Sequence, residues 1–395
     1  MTEIARIKNE FLKAADSLEE RLTSLSDGFY RNPEAGLEER RTSSAMQDFL
    51  SPFGFSIEKG LGGLPTSFRA SLGSGKPEIA LLAEMDALPG IGHGCGHNIA
   101  GTASVGAAAA LSLLLKDTLK GGGGTLLVLG TPAEELGKGK IELINAGVFK
   151  TTDAAMMVHG SSRRMVEKRF LGLERLTFTF TGRASHASAY PHEGINALDA
   201  VIQTFNSINA LRQQLRTDMR VHGIITDGGK APNIIPERAE AVFYVRAPEI
   251  RELEALKKRV MDCAGGAATA TGAALTVTVS GEVNYPLKVN GALAAIYRRA
   301  LGLLGLKEDS QPPDRNVGSS DIGNVSQVVP VIHPHVPIRE GINIHTREFA
   351  DSTVTPEGHR ALMEGVRCMG LTCIELFLDP KALEEVKRDF MGSRS

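Results

Sequence analysis

AEMDALPGIGHGCGHNIA, residues 83–100, places two carboxylates, two histidines, a cysteine and four glycines in eighteen positions. An apolar run, Ile79 to Leu82, precedes it and reads as a buried strand; a run of small and apolar residues, Ile99 to Leu115, follows it and reads as a buried helix. A strand, a glycine-rich turn and a helix put those polar groups at the carboxyl edge of a sheet, where open α/β folds keep their sites. Three readings compete: a metal site, a dinucleotide fingerprint, or a tight turn with incidental polar residues.

The surrounding chain narrows the choice. At 395 residues it exceeds what one core usually holds, so two domains are expected. With 42% hydrophobic and 23% charged residues the composition is that of an ordinary globular protein. A net charge of −2 offers no electrostatic case for nucleic acid or an anionic membrane. The four scattered cysteines argue against a disulfide framework. The N-terminal segment lacks an apolar signal core and no eighteen apolar residues run together, so a cytoplasmic protein is expected.

Apolar positions from Ile4 to Leu25 at three- and four-residue spacing predict one amphipathic helix, and a second is expected over 38–50. Residues 67–72 and 78–86 read as strands paired around a Gly-Ser-Gly turn. Thr125 to Gly130 is a further strand, ending in Thr131-Pro-Ala-Glu-Glu, and Ala154 to Val158 another, ending on His159. Alternating strands and helices predict an α/β fold: a mostly parallel sheet with helices on both faces. Near Gly172 the texture changes to alternating apolar and polar positions, and the β-α-β-β-α-β order over 172–285 matches a ferredoxin-like α+β insertion. The expected organisation is a discontinuous catalytic domain, 1–171 and 286–395, with an inserted domain at 172–285. Past Pro286, helices are expected over 293–304 and 355–378, with a strand at 328–332.

The dinucleotide reading fails on spacing, because Cys95 stands where the third glycine of G-x-G-x-x-G belongs, and no acidic residue ends the next strand at the expected distance. A nicotinamide-dependent oxidoreductase is therefore a remote alternative. The metal reading gains with each later segment. Cys95 and His97 are alternate residues in a turn, so thiolate and imidazole can converge on one ion, and with carboxylate they form the ligand set of zinc and its neighbours. Glu134 and Glu135, adjacent after a strand, are hard to hold close unless a cation or shared proton offsets them. His159 and His345 complete a set of five metal-type residues at strand ends or loops. Taken singly, each has a bland reading as a core histidine, a helix N-terminus or a solvated acid; their combination is what points to a metal.

The stretches AEMDALPGIGHGCGHN, TPAEE, VHG, GRASHASAYPHEGINA, APNIIPERAE, GSSDIGNVS and INIHTREFAD run from Glu84 to Asp351. In that order they resemble metallopeptidase family M20, in its amidohydrolase subfamily of aminoacylases, carboxypeptidase G, hippurate hydrolases and aminobenzoyl-glutamate hydrolases. The compact LPGIGHGCGHN turn is most similar to the branch of aminobenzoyl-glutamate hydrolases (their B chain) and Xaa-Arg dipeptidases. The resemblance implies that Cys95, His97, Glu135, His159 and His345 bind one or two Zn²⁺ or Mn²⁺ ions, that Glu134 is the general base, and that Asp86 orients His97. It implies that the inserted domain is a lid through which a homodimer forms, with His186 touching the oxyanion in the partner subunit's site. Asn233 and Arg246 are then candidates for a substrate carboxylate, and Gly318 to Ser326, with Ser319, for a substrate loop. The plainer account of 319–321 is an N-cap. The implied reaction is hydrolysis of an N-acyl amino acid or dipeptide, with a non-catalytic binding module of the same fold as the alternative. His93, His192, His222, His333, His335 and His359 have no expected role at the site.

Overall fold

The computed structural model describes residues 3–310 and 317–392, which form two compact units. Among these residues the first unit takes in 3–168, 288–310 and 324–392; the second takes in 169–287 and 317–323.

The chain opens with α1 (Glu3–Asp16) and α2 (Glu19–Arg31). The single helix expected here is broken at Ser17, whose hydroxyl donates to the Ala14 carbonyl (2.7 Å) and competes with the helical backbone pattern. Next come α3 (Arg40–Leu50), β1 (Ser56–Lys59), β2 (Phe68–Ser74), β3 (Glu78–Glu84), α4 (His97–Thr118), β4 (Gly124–Thr131), α5 (Gly139–Asn145), β5 (Ala154–Met156) and β6 (His159–Ser161). The second unit contributes β7 (Gly172–Thr181), α6 (Ala197–Arg212), β8 (Arg220–Asp227), β9 (Arg238–Ala247), α7 (Ile250–Thr271) and β10 (Ala274–Val279). The rest comprises α8 (Gly291–Leu303), α9 (Ile322–Val328), β11 (Val331–Ile332), β12 (His335–Pro337), α10 (Arg347–Ser352), α11 (Pro356–Leu378) and α12 (Pro380–Gly392).

The first unit's main sheet has the order β1-β2-β4-β3-β5-β11, antiparallel across β1-β2-β4 and parallel from β4 to β11. This corrects the expected pairing of the second and third strands. β4 lies between them because its run Leu126–Leu129 is apolar on both faces, which suits an interior strand rather than an edge. The strand expected to end on His159 also divides. After Met156 the chain leaves the main sheet, and His159 opens β6, which pairs in parallel with β12 so that His159 stands opposite His335. Val328 closes a helix instead of starting a strand, and Pro330 separates it from β11.

Helix α4 packs against β3 and α11. A Cβ on Gly101 would stand 2.2 Å from the Glu84 carbonyl oxygen, so only glycine lets α4 lie this close to β3. The stretch His97–Gly123 is long and apolar enough to cross a membrane by length and composition, yet 89% of its most apolar window is buried. It is the core helix of this unit. Phe11, Leu22, Met46, Leu81 and Met369 are among the fully buried side chains around it.

In the second unit four antiparallel strands take the order β10-β7-β9-β8, the ferredoxin-like arrangement. One face, carrying Leu176, Phe178, Phe180, Ala241, Phe243 and Val245, is covered by α6 and α7.

Candidate metal centre and active site

The polar ends of the first unit's strands meet around the glycine-rich turn. Gly96 caps α4 with φ +76°, and a Cβ there would press on Ile338 (3.0 Å) and Gly160 (3.4 Å). The turn therefore brings Cys95 and His97 up against the start of β6, where His159 sits. His345 reaches the same place from the other end of the chain. It adopts φ +65°, its N–H donates to the Gly94 carbonyl (2.8 Å), and Thr346 after it caps α10.

Donor atoms of Cys95, His97 and His159 lie within 4.8 Å of one another, as do those of Cys95, Glu135 and His345, and those of His97, Glu134 and Glu135. His345 Nε2 stands 2.8 Å from Cys95 Sγ. His97 Nδ1 donates to the Asp86 backbone carbonyl (2.8 Å), with Asp86 Oδ1 at 3.3 Å. His159 Nδ1 donates to the Gly160 carbonyl (2.7 Å). Both rings thereby engage Nδ1 with a backbone carbonyl and leave Nε2 for the cluster, the usual orientation behind a ligating histidine. Asp86 Oδ2 also accepts the Glu135 N–H (2.9 Å), so Asp86, through its backbone carbonyl and its carboxylate, steadies two of the five candidate ligands.

The electrostatics match a cation site. Burial works against a charged His97, but Glu84 and Asp86 outweigh it and hold the imidazole well above its ordinary pKa. Burial, followed by Glu135 and Glu134, pushes the Cys95 thiol well above its ordinary value. Buried His159 drops to about 4. Protons held on His97 and Cys95 thus offset a local excess of carboxylate, while His159 stays neutral. Glu135 Oε1 and His97 Nε2 are buried without a hydrogen-bond partner among the described residues. Thiol, imidazoles and a carboxylate with such unengaged atoms fit a divalent metal ion.

Three features carry little signal in the sequence. Glu84, inside the opening stretch, is fully buried and pairs through Oε1 with the equally buried Lys140 (2.6 Å), while its Oε2 lies 3.3 Å from His97 Nε2. A lysine from α5 gives no local sign of such a role. His333 and His335 are also buried, with ring centroids 5.3 and 5.2 Å from that of His159. Their only mark is the H-x-H spacing on an apolar run. His93 is buried too, and desolvation lowers it to about 3.

The second unit holds the other candidates in two groups. His186 is exposed, and its Nδ1 accepts the N–H groups of Ser188 and Ala189 (both 3.3 Å), which leaves the proton on Nε2. The Ala187 N–H donates to the Asn233 carbonyl (3.0 Å), so His186 and Asn233 share one corner. Arg246 donates from Nη1 to Ser319 Oγ (3.0 Å), while its buried Nε makes no hydrogen bond among the described residues. Ser320 Oγ accepts the Ile322 N–H (3.3 Å), a cap for α9.

A family model described as the peptidase dimerisation domain matches residues 171–270. The chain is 36% identical to the Xaa-Arg dipeptidase of Mus musculus over 98% of this chain and 93% of that one. The chain belongs to the M20 peptidase family. It is similar, at 35% identity over 98% and 93% of the two chains, to the Xaa-Arg dipeptidase of Homo sapiens. It is also 29% identical to one chain of the p-aminobenzoyl-glutamate hydrolase of Escherichia coli strain K12, over 98% and 95% of the two chains. In fold it is similar to a dinuclear metal-binding M20 peptidase of Bacillus subtilis, with a TM-score of 0.73, 20% identity, and 92% and 99% of the two chains covered. As an M20 peptidase it is a hydrolase, and its second unit carries the family's dimerisation domain.

Proposed function

We propose that this M20 peptidase hydrolyses the amide bond of a dipeptide or N-acyl amino acid, using one or two divalent metal ions held by Cys95, His97, Glu135, His159 and His345. The observation that carries the reading is the meeting of these five side chains, distant in sequence, with Glu134 beside them. When bound, a divalent ion supplies Lewis acidity, bringing water near a neutral pKa and polarising the scissile carbonyl. Glu134 then takes the proton of the attacking water and returns it to the leaving amine. Its carboxylate stands 3.9 Å from His97 Nε2, its side chain is 11% exposed, and its neighbour Glu135 is the ligand. Asp86 holds His97 and Glu135 in place. The Nε2–H of His186 is suited to donate to the developing oxyanion in the partner subunit's site, as the family resemblance implies. The unengaged Nε of Arg246, with Ser319 and Asn233, is suited to the carboxylate of the amino acid released. The names of the relatives, two acting on dipeptides and one on an aroylated amino acid, support this substrate class.

Thiolate with imidazole favours zinc, and the family resemblance favours manganese. The exposed edge strand β8, with Ile224 66% and Ile225 45% exposed, supports a homodimer formed through the second unit. Four free cysteines support a cytoplasmic setting.

The test is hydrolysis of a panel of dipeptides and acylated amino acids by protein loaded with Zn²⁺ or Mn²⁺, with metal content measured in parallel. Glu134→Gln is expected to keep its metal and lose about 10²–10⁴-fold in kcat. Full activity in that variant removes Glu134 as the base. Failure of wild type to bind either ion removes the reading altogether, and bound metal without turnover on any amide points to a binding module.

A further inference from the structure

Glu39 lies far upstream of every candidate ligand and is wholly buried. Its Oε1 accepts the backbone N–H of Ala133 (2.8 Å), and its Oε2 accepts the hydroxyl of Thr66 (2.8 Å). Ala133 has φ +58°, a left-handed conformation that a side chain disfavours, and it immediately precedes Glu134 and Glu135. On the far side of Glu134, the Glu135 N–H is held by Asp86 Oδ2 (2.9 Å). The Pro132–Ala133 peptide, one residue ahead of Glu134, and the Glu134–Glu135 peptide directly after it are therefore each fixed by a buried carboxylate. The chain just before Glu39 also presses on this turn: a Cβ on Gly36 would stand 3.1 Å from Ala133 Cα.

We propose that Glu39 is a positioning residue, which holds the Ala133 peptide in its strained turn from behind and so sets the aim of Glu134 and Glu135. Strained backbone persists only where its surroundings over-determine it, and a charge-assisted hydrogen bond to the N–H is a strong means of doing so. The kinetic part of this proposal rests on the amide-hydrolase reading; the backbone part does not.

The experiment compares Glu39→Gln, Glu39→Met and Glu39→Met with Ala133→Gly in the full chain. Two readouts are used: amide hydrogen exchange over 131–137, and steady-state kinetics on whichever dipeptide wild type cleaves. Glutamine keeps an oxygen for Ala133, and Thr66 can turn its hydroxyl to accept the new amide, so only the charge assistance is lost and exchange should rise far less than in the methionine variant. Methionine has a similar length and no acceptor. Exchange over 131–137 should then rise at least tenfold, and kcat should fall about 10–100-fold with KM little changed, as expected of a misaimed group. Glycine at 133 adopts positive φ without steric penalty, so it should recover part of the lost kcat. A purely structural role for Glu39 predicts no such recovery. Should Glu39→Met not fold, Glu39→Asp keeps the charge but withdraws the oxygen by about 1.5 Å, one C–C bond, and the same readouts apply. Exchange over 131–137 that stays at the wild-type level, or loss of activity that Ala133→Gly leaves unrelieved, overturns the proposal. Absence of hydrolysis by wild type counts against the function reading alone, because the exchange arm still decides this one.

Discussion

Lys140→Met isolates the interaction that most directly underpins the polar floor of the site. Lys140 Nζ lies 2.6 Å from Glu84 Oε1, and neither side chain reaches solvent. At an effective dielectric near 20, unit charges at that separation attract by about 6 kcal/mol. Methionine nearly conserves volume, so the substitution removes charge rather than packing. A buried carboxylate stripped of its partner typically costs about 3–5 kcal/mol. His97, 3.3 Å from Glu84 Oε2 and held protonated without metal, compensates part of this, which favours the lower end of about 3 kcal/mol. That is a large share of the roughly 5–15 kcal/mol that stabilises a typical domain. Urea unfolding of the metal-free protein, followed by far-UV circular dichroism, should be run on wild type, Lys140→Met, Glu84→Gln and the double variant. The double variant should return to within about 1.5 kcal/mol of wild type, since two neutral groups of matching size replace the pair. A loss below about 1 kcal/mol in Lys140→Met, or a double variant no better than the single ones, would refute the reasoning.

Two further outcomes are expected. Because Cys95 and His97 both have raised pKa values, the metal-free site keeps their protons at neutral pH, and a metal ion must displace them. Uptake should release about two protons and tighten steadily between about pH 6 and about pH 8; calorimetry in buffers of different ionisation heat counts the protons, and a pH-independent affinity contradicts the assignment. On the edge strand β8, Ile224→Lys with Ile225→Lys should convert a dimer into a monomer in sedimentation velocity while leaving metal content unchanged; a wild type that sediments as a monomer sinks the dimer proposal.

Much of the candidate site was legible because its residues sit where local pattern is informative. Cys95 and His97 share a turn whose glycines announce it, Glu134 and Glu135 follow an apolar run, and His159 closes another. The inserted unit was legible for a similar reason, since alternation along β7 and β9 marks a sheet with one covered face. Strand order was not. Residues 67–72 and 78–86 look like hairpin partners by adjacency, but a third strand intervenes, and adjacency carries no information about a later strand that competes for the same edge.

Other features depend entirely on tertiary approach. Glu39 resembles any acid at a helix start until Ala133 is brought against it, and Lys140 resembles a surface lysine until α5 sets it under β3. His333 and His335 become part of the site's surroundings only because β12 pairs with β6. The amino-acid sequence by itself determined which donor types exist, at which turns, and in what order along two alternating folds, because periodicity and turn chemistry are local properties. Tertiary structure alone decided which carboxylates are buried, which protons they hold, and which backbone amides they pin, because burial and charge pairing are set by neighbours distant in the chain.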